Sequence, residues 1–186
     1  MDDLITRIKS PDEAVSGPAW QGAAACGAAA VQPLGQLMAD PEMETARGAK
    51  RALFKIVRYA GRPGAESEAR AVQTALIPLL RHPKPGVRRD VLWMLSEIGG
   101  EGAVAAMAAL LSDTEAREDA RCALARLPAG AATAALKAAF QAAPEDFRFA
   151  LADALRRRGV PVEGYRSQKL VPDRQTAVKP FQQKEK

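Results

Sequence analysis

The feature that most constrains the fold is a helix–turn–helix pattern between residues 76 and 111. Its second helix carries an apolar stripe with helical spacing, which is typical of a helix with one buried side. The stripe comprises Val87, Val91, Met94, Leu95 and Ile98. We expect Gly99-Gly100 to end this helix through the left-handed conformation that glycine tolerates. The same pattern returns before and after this stretch, so the chain is predicted to consist of structural repeats.

Hydrophobic periodicity predicts ten helices in five antiparallel pairs joined by short turns. Capping boxes are predicted at Ser10–Glu13, with Pro11 at the first helical position, and at Ser112–Glu115. Pro78 should kink or delay the helix in which it lies. The predicted helices are Leu4–Lys9, a helix from Pro11 that Gly17, Pro18 and Gly22 interrupt, Ala28–Ala39, Glu42–Tyr59, Glu66–Arg81, Gly86–Ile98, Gly102–Leu111, Glu115–Leu127, Ala132–Ala142 and Glu145–Arg158.

The second helices of the later pairs align with one another through an arginine. Arg47, Arg88, Arg117 and Arg148 each lie seven residues before a large apolar residue, and they are 41, 29 and 31 residues apart. The Asp/Pro turns at Asp40-Pro41, His82-Pro83, Asp113 and Pro144 recur with them, as does the ending Leu95–Gly99. In these residues the chain resembles the HEAT-repeat family, in its short bacterial form related to the HEAT-like repeats of phycobilisome lyases.

The resemblance covers most of residues 1–159 and is strongest from Leu76 onward. It implies an all-α fold, an α-α superhelix of the HEAT/armadillo-like solenoid type with about five helical hairpins. It also implies that the recurring arginine pairs with acidic residues of neighbouring turns. The acid varies, because Asp40 and Asp113 are present but His82 stands between them. Residues 160–186 form a basic, Pro-containing C-terminal tail, of which Val160, Val162, Tyr165, Leu170 and Val171 could hold the first part on the last repeat.

The net charge of +5 belongs to the tail. Residues 1–155 hold 18 lysines and arginines against 19 acidic residues, whereas residues 156–186 hold 9 against 3. The pI alone is therefore a weak argument for nucleic-acid binding. No apolar run is long enough to cross a membrane, and the acidic N-terminus differs from a signal peptide, so we expect a cytoplasmic protein. Cys26 and Cys122 are expected to be buried, reduced thiols.

No catalytic constellation is visible, so we expect a non-enzymatic protein without a metal or another cofactor. The single histidine, His82, lies in a Pro-rich turn, where a structural role is more plausible than a nucleophile–base pair or a metal site. There is no phosphate-binding loop and no CxxC motif. Acidic residues are numerous but scattered, and nothing in the sequence brings two of them together.

A surface remains as the functional candidate. In helical solenoids the second helices usually line the concave face, where partners bind. Helical geometry places Arg89, Trp93 and Ser96 away from the core, followed by Glu118 and Cys122 and then by Phe149 and Asp153, while the preceding helix would present Gly48, Ala52, Lys55 and Tyr59. Trp93, Phe149 and Tyr59 could thus anchor a partner, although Trp93 could equally tilt into the groove between repeats.

A basic stripe accompanies these aromatic residues. Arg47, Arg51, Lys55 and Arg58 recur on one side of a helix, with Arg121 in a matching register nearby. The stripe could bind phosphates or an acidic partner, or it could be a solvated helix face with an inter-repeat ladder, which the balanced charge of the body favours.

Three functions follow from these features. The preferred one is a HEAT-repeat scaffold that binds a protein or peptide on its concave face. The second is a nucleic-acid-binding protein that uses the arginine stripe and the tail, as the HEAT-like glycosylases that repair alkylated bases share this general architecture. The third, a lyase-type or chaperone-like accessory subunit, rests on the repeat subtype alone.

Overall fold

The computed structural model describes residues 2–166, and this part of the chain folds into ten α-helices and three 3₁₀ segments. The helices pair in order into five hairpins, which confirms the predicted all-α solenoid. The hairpins are α1 Asp2–Ile8 with α2 Glu13–Gln21, α3 Val31–Leu37 with α4 Met43–Ala60, α5 Glu66–Leu76 with α6 Pro85–Ile98, α7 Glu101–Ala108 with α8 Arg117–Arg126, and α9 Gly130–Ala142 with α10 Glu145–Arg157.

The helices form two layers. The second helices α2, α4, α6, α8 and α10 pack side by side in chain order, and the first helices α3, α5, α7 and α9 pack on one another in the same way. The core lies between the layers. The predicted stripe of α6 is confirmed, because Val87, Val91, Met94 and Leu95 are buried and Ile98 is partly buried against them.

Several first helices are shorter than the periodicity predicts, because part of each runs as a 3₁₀ segment. The segment Gly22–Ala30 precedes α3 and includes Gly27 at a φ of 58°. The segments Ile77–Arg81 and Ala109–Ser112 follow α5 and α7. Pro78 accounts for the first of these two, since proline lacks the N–H that would continue the α-helical ladder. Pro78 is predicted to kink this helix or to delay its start, whereas α5 begins at Glu66 and gives way to the 3₁₀ segment at Ile77.

The two predicted capping boxes are wrong in position. Asp12, not Ser10, is the N-cap of α2, and its carboxylate accepts a hydrogen bond from the Ala14 N–H. Asp113 likewise makes a local turn with the Glu115 N–H, and α8 begins only at Arg117. In both places an aspartate that binds the amide two residues ahead competes successfully with the longer Ser-to-Glu box.

The predicted reason for Gly99 is also wrong, although α6 does end there. Gly99 has φ −69° and ψ 142°, an extended conformation that other residues adopt readily. What the position lacks is space, because a Cβ at Gly99 would lie 2.3 Å from the Leu95 carbonyl oxygen. Glycine is needed here because its Cα lies close against the last turn of α6.

Replacing Gly99 with alanine should therefore lower the free energy of unfolding by about 2 kcal/mol, since the new methyl group must displace backbone. Gly86→Ala is the matched control in the first turn of the same helix. A Cβ there meets nothing within 4 Å, so this change should be neutral or stabilising by up to about 1 kcal/mol. Urea unfolding of the two variants measures the difference, and equal midpoints would contradict the steric explanation.

The last described residues lie against the final hairpin. Gly159, with a φ of 75°, ends α10 as predicted. Val160 and Val162 pack partly buried against the core, and the Tyr165 ring makes edge-to-face contacts with Phe140 and Phe149. The predicted contacts of Leu170 and Val171 fall outside the described residues, and the division of the chain after residue 159 stays a prediction.

Candidate functional site

The exposed sides of α2, α4, α6, α8 and α10 form one surface, which we call the second-helix face. It is exposed because the apolar stripe of each of these helices faces the first-helix layer. Ion pairs join neighbouring helices across it, from Lys50 to Asp90 at 2.6 Å, from Arg58 to Glu97 at 3.6 Å and from Arg89 to Asp119 at 2.9 Å. The surface is therefore rich in charges of both signs.

At the N-terminal end of this face lies a groove of about 380 Å³ between α2 and α4. We call it the basic groove. Its lining residues are Trp20, Arg47, Lys50, Arg51, Phe54, Lys55 and Arg58. The structure thus brings the predicted residues Arg47, Arg51 and Lys55 together in one depression, beside two aromatic rings.

The cations of the basic groove differ in their partners. Arg47 pairs with Glu44 of its own helix at 2.6 Å, and Lys50 pairs with Asp90. The Arg51 guanidinium lies 5.3 Å from the centre of the Trp20 ring, which fits a cation–π contact. Within residues 2–166, no carboxylate forms an ion pair with Arg51 or Lys55.

A second cluster on the face joins α6 to α8 around Asp119. One carboxylate oxygen of Asp119 accepts a hydrogen bond from the Trp93 indole N–H at 2.9 Å, and the other accepts one from Arg89 Nε at 2.9 Å. Arg126 lies over the Trp93 ring at 5.6 Å. Trp93 is nevertheless 37% exposed, so it leans across to the next repeat without entering the core.

The other two predicted aromatic anchors do not join this cluster. Phe149 is exposed on α10, but one edge of its ring contacts Tyr165. Tyr59 lines a recess beside α5 and the segment Gly22–Ala30, with the Arg62 guanidinium 3.9 Å from its ring centre. The structure therefore separates Tyr59 from Trp93.

The predicted register of α4 is partly wrong, which accounts for this separation. Gly48 and Ala52 are buried and do not face solvent as expected. Gly48 lies against α1, where an added Cβ would come within 3.1 Å of the Ile8 side chain. Because α1 and α2 both pack on α4, its exposed side lies one residue earlier than predicted at Arg47 and Arg51 and agrees with the prediction at Lys55.

Arg121 is less accessible to a binding partner than predicted. Its side chain is only 17% exposed, pairs with Glu118 at 2.9 Å and donates to the Cys122 sulfur at 3.2 Å. Cys122 and Cys26 are free thiols that are half-buried, in contrast to the predicted full burial.

The recurring arginines occupy the junctions between hairpins, as their resemblance to the family ladder implies, but not uniformly. Arg88 pairs with Asp113 at 2.9 Å, and Arg117 pairs with Asp146 at 2.7 Å. Arg148 instead donates a hydrogen bond to the Ala143 carbonyl, and Arg47 forms an ion pair with Glu44 of its own helix.

Hydrogen bonds from arginine side chains also account for the shifted pKa values of two acidic residues. The hydrogen bond from Arg117 holds the pKa of Asp146 below its usual range. The hydrogen bond from Arg62 lowers the pKa of Glu68 in the same way, and the Arg62 pKa is raised in return. Both carboxylates are exposed and each is paired with an arginine, so these shifts describe structural ion pairs.

His82 is a buried turn residue whose Nδ1 accepts a hydrogen bond from the Lys84 N–H at 3.1 Å. Among residues 2–166, no group of three or more His, Cys, Asp or Glu side chains is arranged to hold a metal ion. In the same part of the chain, none of the helices has both the length and the apolar character needed to span a bilayer.

Five residues of these clusters are not found by sequence reasoning, namely Trp20, Lys50, Phe54, Asp119 and Arg126. Trp20 lies in the helix that Gly17 and Pro18 are predicted to interrupt, and Phe54 reads as a plain core position. Asp119 and Arg126 become visible only when α8 is placed beside α6. One local signal is present, because Arg58 follows Phe54 by one helical turn. The contact of Trp20 with Arg51 joins α2 to α4 and has no local signal in the sequence.

The fold defines an α-helical repeat protein of the solenoid class. Residues 55–125 match the family model of HEAT repeats, which confirms the resemblance for this central part of the chain. Two engineered proteins whose crystal structures were determined by the Northeast Structural Genomics Consortium are similar. The first is 22% identical over 87% of this chain and 81% of its own, with a TM-score of 0.45. The second is 21% identical over 83% of this chain and 45% of its own, with a TM-score of 0.43. No curated protein matches the chain.

Proposed function

We propose that this protein is a HEAT-repeat scaffold that binds a protein or peptide partner on its second-helix face, which we expect to be concave. The observation that carries this proposal is the cluster around Trp93. An exposed tryptophan flanked by Arg89 and Arg126 combines the two residue types that most often dominate binding energy at protein interfaces.

The contacts of Trp93 support a binding role. Its indole N–H is held by Asp119 and its ring is covered on one side by Arg126, so the side chain is fixed before a partner arrives. A fixed aromatic side chain loses little conformational entropy on binding, which favours affinity. Phe149 extends the same surface onto α10, whereas Tyr59 is no longer included in the proposed site.

A nucleic-acid partner is the second candidate, and the basic groove is the observation that favours it. Binding that depends strongly on salt concentration would support it. An accessory role of the lyase or chaperone type rests on repeat subtype alone. We also propose a cytoplasmic location, which the two free thiols support.

The test is affinity capture from a lysate of the source organism with the wild-type chain and the double variant Arg89→Ala/Trp93→Ala. We expect at least one partner to be retained by the wild type and lost by the variant, because truncating a hot-spot tryptophan and arginine typically costs about 2 kcal/mol or more. Circular dichroism checks that the variant is folded.

The matched control is Arg70→Ala/Arg81→Ala, which removes two exposed arginines from the first-helix layer. It should capture the same partners as the wild type. Equal recovery by the folded Arg89/Trp93 variant and by the wild type would refute the proposed site.

A further inference from the structure

We infer that the basic groove binds a short acidic segment of a partner protein in an extended conformation. The inference rests on the proposed interaction function and names the chemistry of the partner at the N-terminal end of the second-helix face. Trp20, Arg51, Lys55 and Arg58 carry it.

The charge of the groove is the first argument. Arg51 and Lys55 are exposed and form no ion pair with a carboxylate among residues 2–166, and the carboxylate nearest to Arg58 is 3.6 Å away. Three positive charges on successive turns of α4 are thus unneutralised or weakly neutralised. Carboxylate groups would form charge-assisted hydrogen bonds with them.

The geometry of the groove is the second argument. The Arg51 guanidinium lies over the Trp20 ring and the Arg58 guanidinium lies over the Phe54 ring, both at 5.3 Å, so each cation is positioned by a cation–π contact. This contact does not use the N–H groups of the guanidinium, which can bind a carboxylate in a bidentate manner. Side chains one helical turn apart lie about 6 Å from each other, which matches alternate side chains of an extended peptide at about 6.6 Å.

The surroundings favour a short acidic segment over the backbone of a nucleic acid. Asp90 and Glu97 of α6 border the groove on one side. On the other side, an adjoining groove that shares Trp20 and Arg51 is lined by Glu13, Glu42 and Glu44. A duplex carries a negative charge about every 1.7 Å of its axis and would meet these carboxylates, whereas an acidic segment of a few residues ends before them.

The test measures fluorescence anisotropy of labelled hexaglutamate, labelled hexaglutamine and a short labelled DNA duplex against the full-length chain. The wild type should bind hexaglutamate and not hexaglutamine. The variant Arg51→Gln/Lys55→Gln should bind hexaglutamate about tenfold more weakly. Arg70→Gln/Arg81→Gln, which makes the same change in net charge on the other layer, should stay within about twofold of the wild type.

Three results would overturn the inference. The first is no binding of hexaglutamate by the wild type, and the second is an equal loss of affinity in the two double variants. The third is tighter binding of the duplex than of hexaglutamate, abolished by Arg51→Gln/Lys55→Gln, which would make the groove a nucleic-acid surface. The capture experiment with Arg89 and Trp93 is independent of all three, so a failure here is distinguishable from a failure of the proposed function.

Discussion

Replacing Arg158 with alanine is expected to lower the free energy of unfolding by about 3 kcal/mol, a large share of the stability of a domain this size. The reason is the number of carbonyl groups that this one side chain satisfies. Its guanidinium donates to the carbonyl oxygens of Leu124, Ala125, Leu127 and Ala129 and to the Thr133 hydroxyl.

The position of these acceptors explains why their loss is costly. Leu124 and Ala125 belong to the last turn of α8, whose carbonyl groups have no partner inside the helix. Arg158, at the end of α10, thus fastens the turn between α8 and α9 to the next hairpin. The Leu124 and Ala129 carbonyls also accept from the N–H groups of Leu127 and Ala132, so removing Arg158 leaves the Ala125 and Leu127 carbonyls without a donor. Each such group costs about 1–3 kcal/mol when water does not replace the bond fully.

The neighbouring residue provides the control. The Arg157 side chain is 77% exposed and pairs with Asp153 one turn away, so Arg157→Ala should change stability by less than about 0.5 kcal/mol. Arg158→Lys should fall between the two, since an ammonium group keeps the charge but cannot reach all the acceptors at once. Chemical unfolding of the three variants measures these differences. Similar losses of stability for Arg157→Ala and Arg158→Ala would contradict the proposed role of Arg158.

Arg158 also shows where sequence reasoning ends. The order and pairing of the helices follow from apolar periodicity and from Gly and Pro positions, which are local signals. The run Arg156–Arg158 gives no sign that one of three identical residues reaches back 29 to 34 residues to four carbonyl groups. Such a contact depends on how two hairpins are rotated against each other, and no short-range pattern encodes that rotation.

The candidate surface shows the same difference between local patterns, which the sequence reveals, and contacts between helices, which it does not. Arg89 and Trp93 could be placed on the exposed side of α6 because one helix with a clear stripe defines its own orientation. The exposed side of α4 was misplaced, since the packing of α1 and α2 on that helix buries Gly48 and Ala52. Asp119 belongs to the site only through hydrogen bonds that span 26 and 30 residues. Position on a helix is thus predictable, whereas contact between helices is not.

Shortening the chain to Gly159 is expected to cost about 2–5 kcal/mol relative to a chain that ends at Arg166. A terminal repeat exposes an apolar side that has no following repeat to cover it. Val160 and Val162 pack on this side, and the Tyr165 ring contacts both Phe140 and Phe149. Residues 160–166 are therefore expected to act as the cap of the solenoid.

Hydrogen bonds hold the cap in place. The Val160 N–H donates to the Leu155 carbonyl at 3.0 Å, and Arg156 donates to the Tyr165 carbonyl at 2.6 Å. Tyr165→Ala keeps these backbone bonds but removes the ring contacts with Phe140 and Phe149, so it should reproduce part of the loss in the longer chain. Glu163→Ala, at an exposed position, should have little effect.

Thermal melts of chains that end at Gly159, at Arg166 and at Lys186 separate this view from its rival, in which the whole tail is a free basic arm. The cap requires the first to melt well below the second, with the second close to the full chain. If all three melted together, residues 160–166 would contribute nothing to stability and the tail would act only through its charge. If ending the chain at Arg166 already lowered the melting temperature, residues 167–186 would have to pack on the body as well, and the apolar side of the last repeat would need more than two valines and a tyrosine to cover it.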